Sequence, residues 1–331
     1  MQTSKLSERT LGKTGRKVSE IGLGTWQLGT KWGDPFNREE ALRILRAADE
    51  SGITFIDTAD VYNSGKSEET IGEYIASRPD HFFVTTKCGR RLSPHTADMY
   101  TPEAVAGFIE DSLRRMRLEK LDLILLHCPP TPVYARDDIF SELERQKKMG
   151  KIAAFGVSIE KVEEGIRAMD YDIAAMEVIF NMFRLKPLDT LFPMAKEKNV
   201  GIIARVPLAS GLLTGKYTKD TVFGPKDHRS YNREGASFDK GETFSGVPYD
   251  LGLQAADEIK RALGTEDLAP LAIRWVLMHE AVSVVIPGAS RASQVADNVR
   301  AALLPPLSEE QMAKVAAIYD DLLRDVIHPQ W

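Results

Sequence analysis

About eight short apolar runs, each parted from the next by a longer segment of helical period, constrain this chain more than any other feature. They are EIGLG (20–24), TFIDT (54–58), FFVTTK (82–87), LDLILLH (121–127), IAAFGVS (152–158), IAAMEV (173–178), GIIARV (201–206) and VSVVIPG (282–288). This alternation is the sequence form of repeated βα units around a parallel sheet, and eight units are what a closed barrel requires.

The expected fold is therefore α/β, a (β/α)8 barrel of the TIM type. At 331 residues the chain is long for one domain, but such barrels exceed the usual size without dividing. No linker interrupts the alternation, so residues 1–331 read as a single barrel domain.

Helix boundaries are marked locally. Asn37 with Glu40 reads as a capping box ahead of REEALRILRAADES, with Gly52 at the stop, and Thr101-Pro102 opens another helix. Before the first run, RTLGKTGRKVSEIG turns at Lys13-Thr14-Gly15, as a hairpin covering one barrel end would. Ser308 and Gln311 cap a final helix expected over 308–325. Residues 214–248 have no sustained period and are rich in Gly, Lys and Asp, which suits a lid, a binding loop or a mobile insertion.

Composition excludes several classes. A 43% hydrophobic content with 27% charged residues can bury a core, and the formal charge of -5 is mixed along the chain without a basic face for nucleic acid. No apolar run approaches a membrane span and the N-terminal segment has no signal-peptide core, so a cytoplasmic protein with no membrane partner is expected. Two cysteines, Cys88 and Cys128, exclude a disulfide framework and a four-thiolate zinc site, and no metal is expected. A redox role for the pair is a further hypothesis. The GLGTWQLG stretch has Gln27 where a dinucleotide fingerprint needs glycine, and GLLTGKY is one residue short of a P-loop.

In a barrel of this kind the catalytic groups stand at the C-terminal strand ends and in the loops after them. Asp57 ends the second run, Tyr62 lies in the loop beyond it, Lys87 ends the third run and His127 the fourth. A phenol with an ordinary pKa of about 10 gives up its proton only where the departing charge is stabilised. An ammonium beside it does that, a carboxylate holds the ammonium charged, and an imidazole can donate a hydrogen bond to a carbonyl oxygen. Together these groups could protonate an oxyanion, as when a carbonyl accepts hydride. Trp26 and Trp32, near the expected mouth, are candidates with Tyr62 and His127 for a substrate pocket.

DTADVY, TTKCG and LILLHCP, in this order and spacing, resemble the Asp, Tyr, Lys and His tetrad of the aldo-keto reductases. The likeness extends from IGLGTWQLG to VIPGASRASQVADN. It implies that Tyr62 is the general acid, that Lys87 and Asp57 tune it, that His127 orients a small-molecule carbonyl substrate, and that NADPH/NADP+ is the cofactor. The implied cofactor contacts begin at the first strands with Gly24, Thr25, Trp26 and Asp57. Ser158, Glu177 and Arg205 follow on the middle strands, and Pro207, Leu208, Ser210, Gly211, Leu213 and Lys216 after the seventh. Gly288, Ser290, Arg291, Gln294 and Asn298 complete them. Ser158 would bond the nicotinamide amide, the open backbone at 208–213 would approach the pyrophosphate, and Lys216 and Arg291 would hold the 2′-phosphate.

Three positions depart from the family pattern: Ile159, Glu177 and Arg205 stand where Asn, Gln and an aromatic residue are frequent. Arg205 on the nicotinamide would favour the neutral reduced ring, predicting tighter binding of NADPH than of NADP+, with Glu177 as a possible ion-pair partner. The leading expectation is an NADP-dependent enzyme that reduces aldehydes or ketones. Two alternatives stay open: a regulatory subunit resembling the potassium-channel β subunits, and a Schiff-base lyase using Lys87. Oligomeric state is open, with a monomer as the default.

Overall fold

The structure, a computed structural model, describes residues 6–331 apart from positions 32 and 79. The chain begins with a hairpin of β1 (Glu8–Thr10) and β2 (Lys17–Ser19), turned through Gly15 at φ 66°. Eight parallel strands follow: β3 (Leu23–Gly24), β4 (Phe55–Asp57), β5 (Phe83–Cys88), β6 (Leu121–His127), β7 (Ile152–Ser158), β8 (Ala175–Ile179), β9 (Gly201–Arg205) and β10 (Val282–Val285). Their order in the sheet is their order in the chain, and parallel bridges Ile21–Val285 and Gly24–Gly288 close the last strand onto the first. The result is the expected barrel, with strand bounds shifted by one to three residues in several places.

Long helices pack outside. They include α1 (Arg38–Glu50), α2 (Lys66–Ile75), α3 (Pro102–Met116), α4 (Asp137–Lys148) and α5 (Val162–Ala168). Asn37 caps α1 by accepting from the Glu40 N–H at 3.0 Å, but the Glu40 carboxylate turns to Arg43, so half of the expected box forms. Thr101 accepts from Ala104 N–H at 3.1 Å above Pro102. The final helix expected over 308–325 is broken. An α-helix Glu309–Ile318 with a complete Ser308–Gln311 box gives way to a π turn at Tyr319–Leu323, and a further turn follows at Arg324–Ile327.

Strand parity explains what fills the barrel and what crowns it. Leu11, Phe55, Phe83, Leu123, Leu125, Ile203, Val284 and Ile286 form one apolar cluster, separate from the larger core between strands and helices. The hairpin supplies Leu11 and Val18 as its floor, and the Phe55 and Phe83 rings stack at 5.8 Å. Gly22 is glycine because a Cβ there would stand 2.8 Å from the Phe55 ring.

Two or four residues on from inward positions of this cluster, the same face of each strand carries Asp57, Lys87, His127, Ser158, Glu177 and Arg205. Pairing of His127 with Ser158, and of Ser158 with Glu177, keeps that layer level. All six side chains are buried. A ring of polar groups therefore sits on an apolar plug, where its charges must satisfy one another.

Residues 214–248, read as a lid or a mobile insertion, fold through side-chain contacts instead of a period. His228 Nδ1 lies 3.0 Å from Thr243 Oγ1, and Asn232 holds Ser237 N–H and Phe238 N–H with its side-chain oxygen at 2.8 and 3.1 Å. Trp331 donates from Nε1 to Asp239 at 3.0 Å. Among the described residues no helix is long and apolar enough to cross a membrane.

Candidate active site

Lys87 is fully enclosed and is the hub of the rim. Its ammonium donates to Asp57 Oδ1 at 2.7 Å, to the Thr58 carbonyl at 3.1 Å and to Tyr62 Oη at 3.3 Å. Burial alone would lower its pKa, but Asp57 and Glu177 outweigh that and hold it above the ordinary lysine value. Asp57 meets the opposite balance. Burial and the neighbouring Glu177 charge push its carboxyl up against the pull of Lys87.

Tyr62 is brought to Lys87 by the turn after β4, in which Asn63 and Ser64 take left-handed backbone angles. Its phenol is pushed above the usual tyrosine value by burial, against the opposing pull of Lys87. The His127 ring meets Tyr62 edge-on at 5.9 Å, and Trp26 stacks with Tyr62 at 6.4 Å. Burial, reinforced by Arg90 and Lys87, drives the His127 pKa well below its ordinary value and keeps the ring neutral. A neutral imidazole carries one N–H, and His127 Nδ1 has no hydrogen-bond partner among the described residues. Tyr62 and His127 face a common space.

That space is a cavity of about 310 Å³ whose wall includes Trp26, Asp57, Tyr62, His127, Glu177 and Arg205. Gly24, Thr25, Pro207, Leu208, Ser210, Gly211, Gly288 and Gln294 also line it. The structure does not bring every expected contact to this wall. Ser158 is sealed behind it, its hydroxyl accepting from Cys128 Sγ at 3.3 Å and its carbonyl from Tyr134 Oη at 2.8 Å. Leu213 is core, and Lys216 and Arg291 are exposed outside the lining. Ser290 and Asn298 shape the turn instead: Ser290 N–H donates to Gln294 at 2.8 Å and Asn298 donates to the Gly288 carbonyl at 3.3 Å. Trp32 lies outside the described residues.

The expectation for Arg205 needs correction. Its guanidinium donates to Glu242 at 2.6 Å, to Glu160 at 3.2 Å and to the Ile159 carbonyl at 3.0 Å, and lies 3.6 Å from Glu177. Arg90 joins the group at 3.2 Å from Glu160 and 3.6 Å from Glu242. With three carboxylates around it, Arg205 presents no uncompensated charge on which a preference for the reduced nicotinamide could rest. Burial and the neighbouring carboxylates push the Glu160 carboxyl up to about 7 despite the pull of Arg205 and Arg90. Cys128, Glu160 and Glu242 bring ligand atoms within 4.8 Å of one another, but both guanidiniums already engage those carboxylates. Cys88 and Cys128 are buried free thiols, with burial raising both pKa values.

Glu242, His228 and Arg229 reach the cavity wall from the aperiodic loop and escaped sequence reasoning. Val206 and Tyr217 also line the cavity, as does Gln27, which the sequence marks only as a departure from a dinucleotide fingerprint. The signal for Glu242 was Arg205 itself, because an arginine on an inward strand face needs carboxylates to be buried.

Two features of the lining bear on whether a nicotinamide dinucleotide fits. His127 and Tyr62 stand together on the wall. Gly211, at φ 103°, leaves no room for a Cβ, which would stand 2.2 Å from Tyr217 Oη. The Ser210 hydroxyl is engaged with the loop, donating to the Glu242 carbonyl at 3.0 Å and accepting from Phe244 N–H at 3.1 Å.

The model of the Aldo/keto reductase family matches residues 20–320. The chain is 30% identical to L-galactose dehydrogenase of Arabidopsis thaliana, over 96% of this chain and 95% of that one. It is also 30% identical to a probable voltage-gated potassium channel subunit beta of the same plant, covering 90% and 92% of the two chains. The solved glycerol dehydrogenase from Gluconobacter oxydans is similar over 100% of this chain and 99% of its own, with a TM-score of 0.77 at 29% identity. As the family match takes in every barrel strand and all four groups of the Asp57–Tyr62–Lys87–His127 cluster, this chain belongs to the aldo/keto reductase family, and is an oxidoreductase by that membership.

Proposed function

We propose that this enzyme reduces aldehydes or ketones to alcohols with NADPH, Tyr62 supplying the proton. The observation that carries the reading is the contact of Tyr62 Oη with an enclosed Lys87 ammonium at 3.3 Å, beside a neutral His127 on the wall of the same cavity. When bound, the cofactor would supply hydride to the carbonyl carbon. His127 would donate its N–H to the carbonyl oxygen and fix its angle, and Tyr62 would pass its proton to that oxygen as negative charge develops there. Lys87 would stabilise the resulting phenolate, and Asp57 would keep Lys87 oriented. Trp26, Tyr62 and His127 would flank the substrate, while Gly24, Thr25, Leu208, Gly211, Gly288 and Gln294 would face the cofactor.

The Schiff-base reading loses support from the same contacts. A lysine that attacks a carbonyl must be neutral, whereas Lys87 donates to three acceptors and is held charged. The reductase reading is tested by following nicotinamide absorbance with aldehydes and ketones, including hydroxylated ones, with NADPH and NADH in parallel. Turnover with NADPH is expected. Binding of NADPH without reduction of any carbonyl in the set would count against it.

A further inference from the structure

Lys87 has more negative charge around it than its three protons can serve. Those protons go to Asp57, the Thr58 carbonyl and Tyr62. Glu177 Oε2 also lies 3.3 Å from the ammonium, yet accepts no hydrogen bond there, so it acts on Lys87 through charge. Its other oxygen lies 3.6 Å from Arg205, and Arg205 is fixed in turn by Glu242 at 2.6 Å. Glu177 is 2% exposed, and β8 pairs it with Ser158 on one side and Ile203 on the other, so neither its height nor its side in the barrel can vary. A continuous line of alternating charge therefore joins the proton donor to the aperiodic loop: Lys87, Glu177, Arg205, Glu242.

We propose that Glu177 is a second counter-ion of Lys87, a positioning residue that sets how much positive charge Tyr62 meets, with Arg205 and the loop residue Glu242 holding it in place. The inference rests on Tyr62 being the proton donor. The charged and titratable groups facing Tyr62 are Lys87 on β5, Asp57 on β4, Glu177 on β8, the neutral His127 on β6 and Glu242 from the loop. Of these, only Lys87 draws the phenol proton off, while Asp57, Glu177 and Glu242 retain it. Glu177 thus keeps the phenol in its protonated, donor form to higher pH. By dividing its charge between Lys87 and Arg205, it lets a loop carboxylate influence acidity at the reacting end.

The test is the pH profile of kcat for carbonyl reduction in the full-length protein, wild type beside E177Q, E177D and Y62F. Removing the carboxylate charge should move the alkaline limb to lower pH by about 1 to 2 units, and E177D, which keeps the charge, should lie near the wild type. Because E177Q leaves Arg205 short of a partner, E177Q/R205Q is made as well. It removes both charges together and should shift the limb the same way, since Glu177 is the nearer to Lys87. An unmoved or rising limb in both variants, with Y62F inactive, would overturn the inference alone. A Y62F enzyme as fast as the wild type would overturn the proton-donor reading and the inference with it.

Discussion

Tyr62→Phe should lower kcat by about 100- to 10,000-fold, the range associated with loss of a positioned general acid. Its dissociation constant for NADPH should stay close to that of the wild type. The substitution removes one oxygen and leaves the ring, so the Trp26 stack and the His127 edge contact persist. Lys87 keeps Asp57 and the Thr58 carbonyl and stays charged. Rates are compared in single-turnover experiments at saturating NADPH, which isolates chemistry from release of product. A mutant within a few-fold of the wild type would place the proton elsewhere.

Arg205→Met should destabilise the protein by about 3 to 5 kcal/mol near pH 8, because it leaves buried carboxylates without their shared cation. Glu242 and Glu160 would keep Arg90 at 3.6 and 3.2 Å, and Glu177 would keep Lys87 at 3.3 Å, so the cluster would carry a net negative charge. The sign of the pH dependence follows. The Glu160 carboxyl is already pushed up to about 7 in the folded protein, above its unfolded value of 4.5. Folded molecules therefore bind a proton that unfolded ones do not as pH falls through 7, and this contribution to stability grows until about 4.5. In the variant the loss should be largest at alkaline pH and shrink toward pH 5. Urea midpoints with unchanged slopes would measure it. A loss under 1 kcal/mol, or one independent of pH, would mean that the carboxylates relax to water.

The barrel was legible because its determinants are periodic. Runs such as LDLILLH announce a strand buried on both faces, and the polar residue at the end of a run shares the face of an apolar inward residue two or four positions earlier, as Asp57 does with Phe55 and Lys87 with Phe83. The grouping of Asp57, Lys87 and His127 was legible for the same reason, since each stands at a strand end. The loop at 214–248 was not, since its order comes from contacts such as His228 with Thr243, Asp239 with Trp331 and Glu242 with Arg205. Such pairs leave no period in sequence. Ser158 shows the limit in the other direction: its rim position was readable, but its enclosure behind Cys128 and Tyr134 depended on side chains from elsewhere in the fold. The final helix was interrupted at Tyr319–Leu323 by a π turn that no glycine or proline marks.

The proposed reaction is direct transfer of hydride to a carbonyl carbon, with proton delivery by the barrel rim. It is tested most directly with NADPH carrying two deuterium atoms at nicotinamide C4 and a carbonyl compound that the enzyme turns over. Direct transfer leaves one deuterium on the carbinol carbon of the product and gives a slower single-turnover rate than with unlabelled cofactor. Product alcohol without deuterium on that carbon would contradict it.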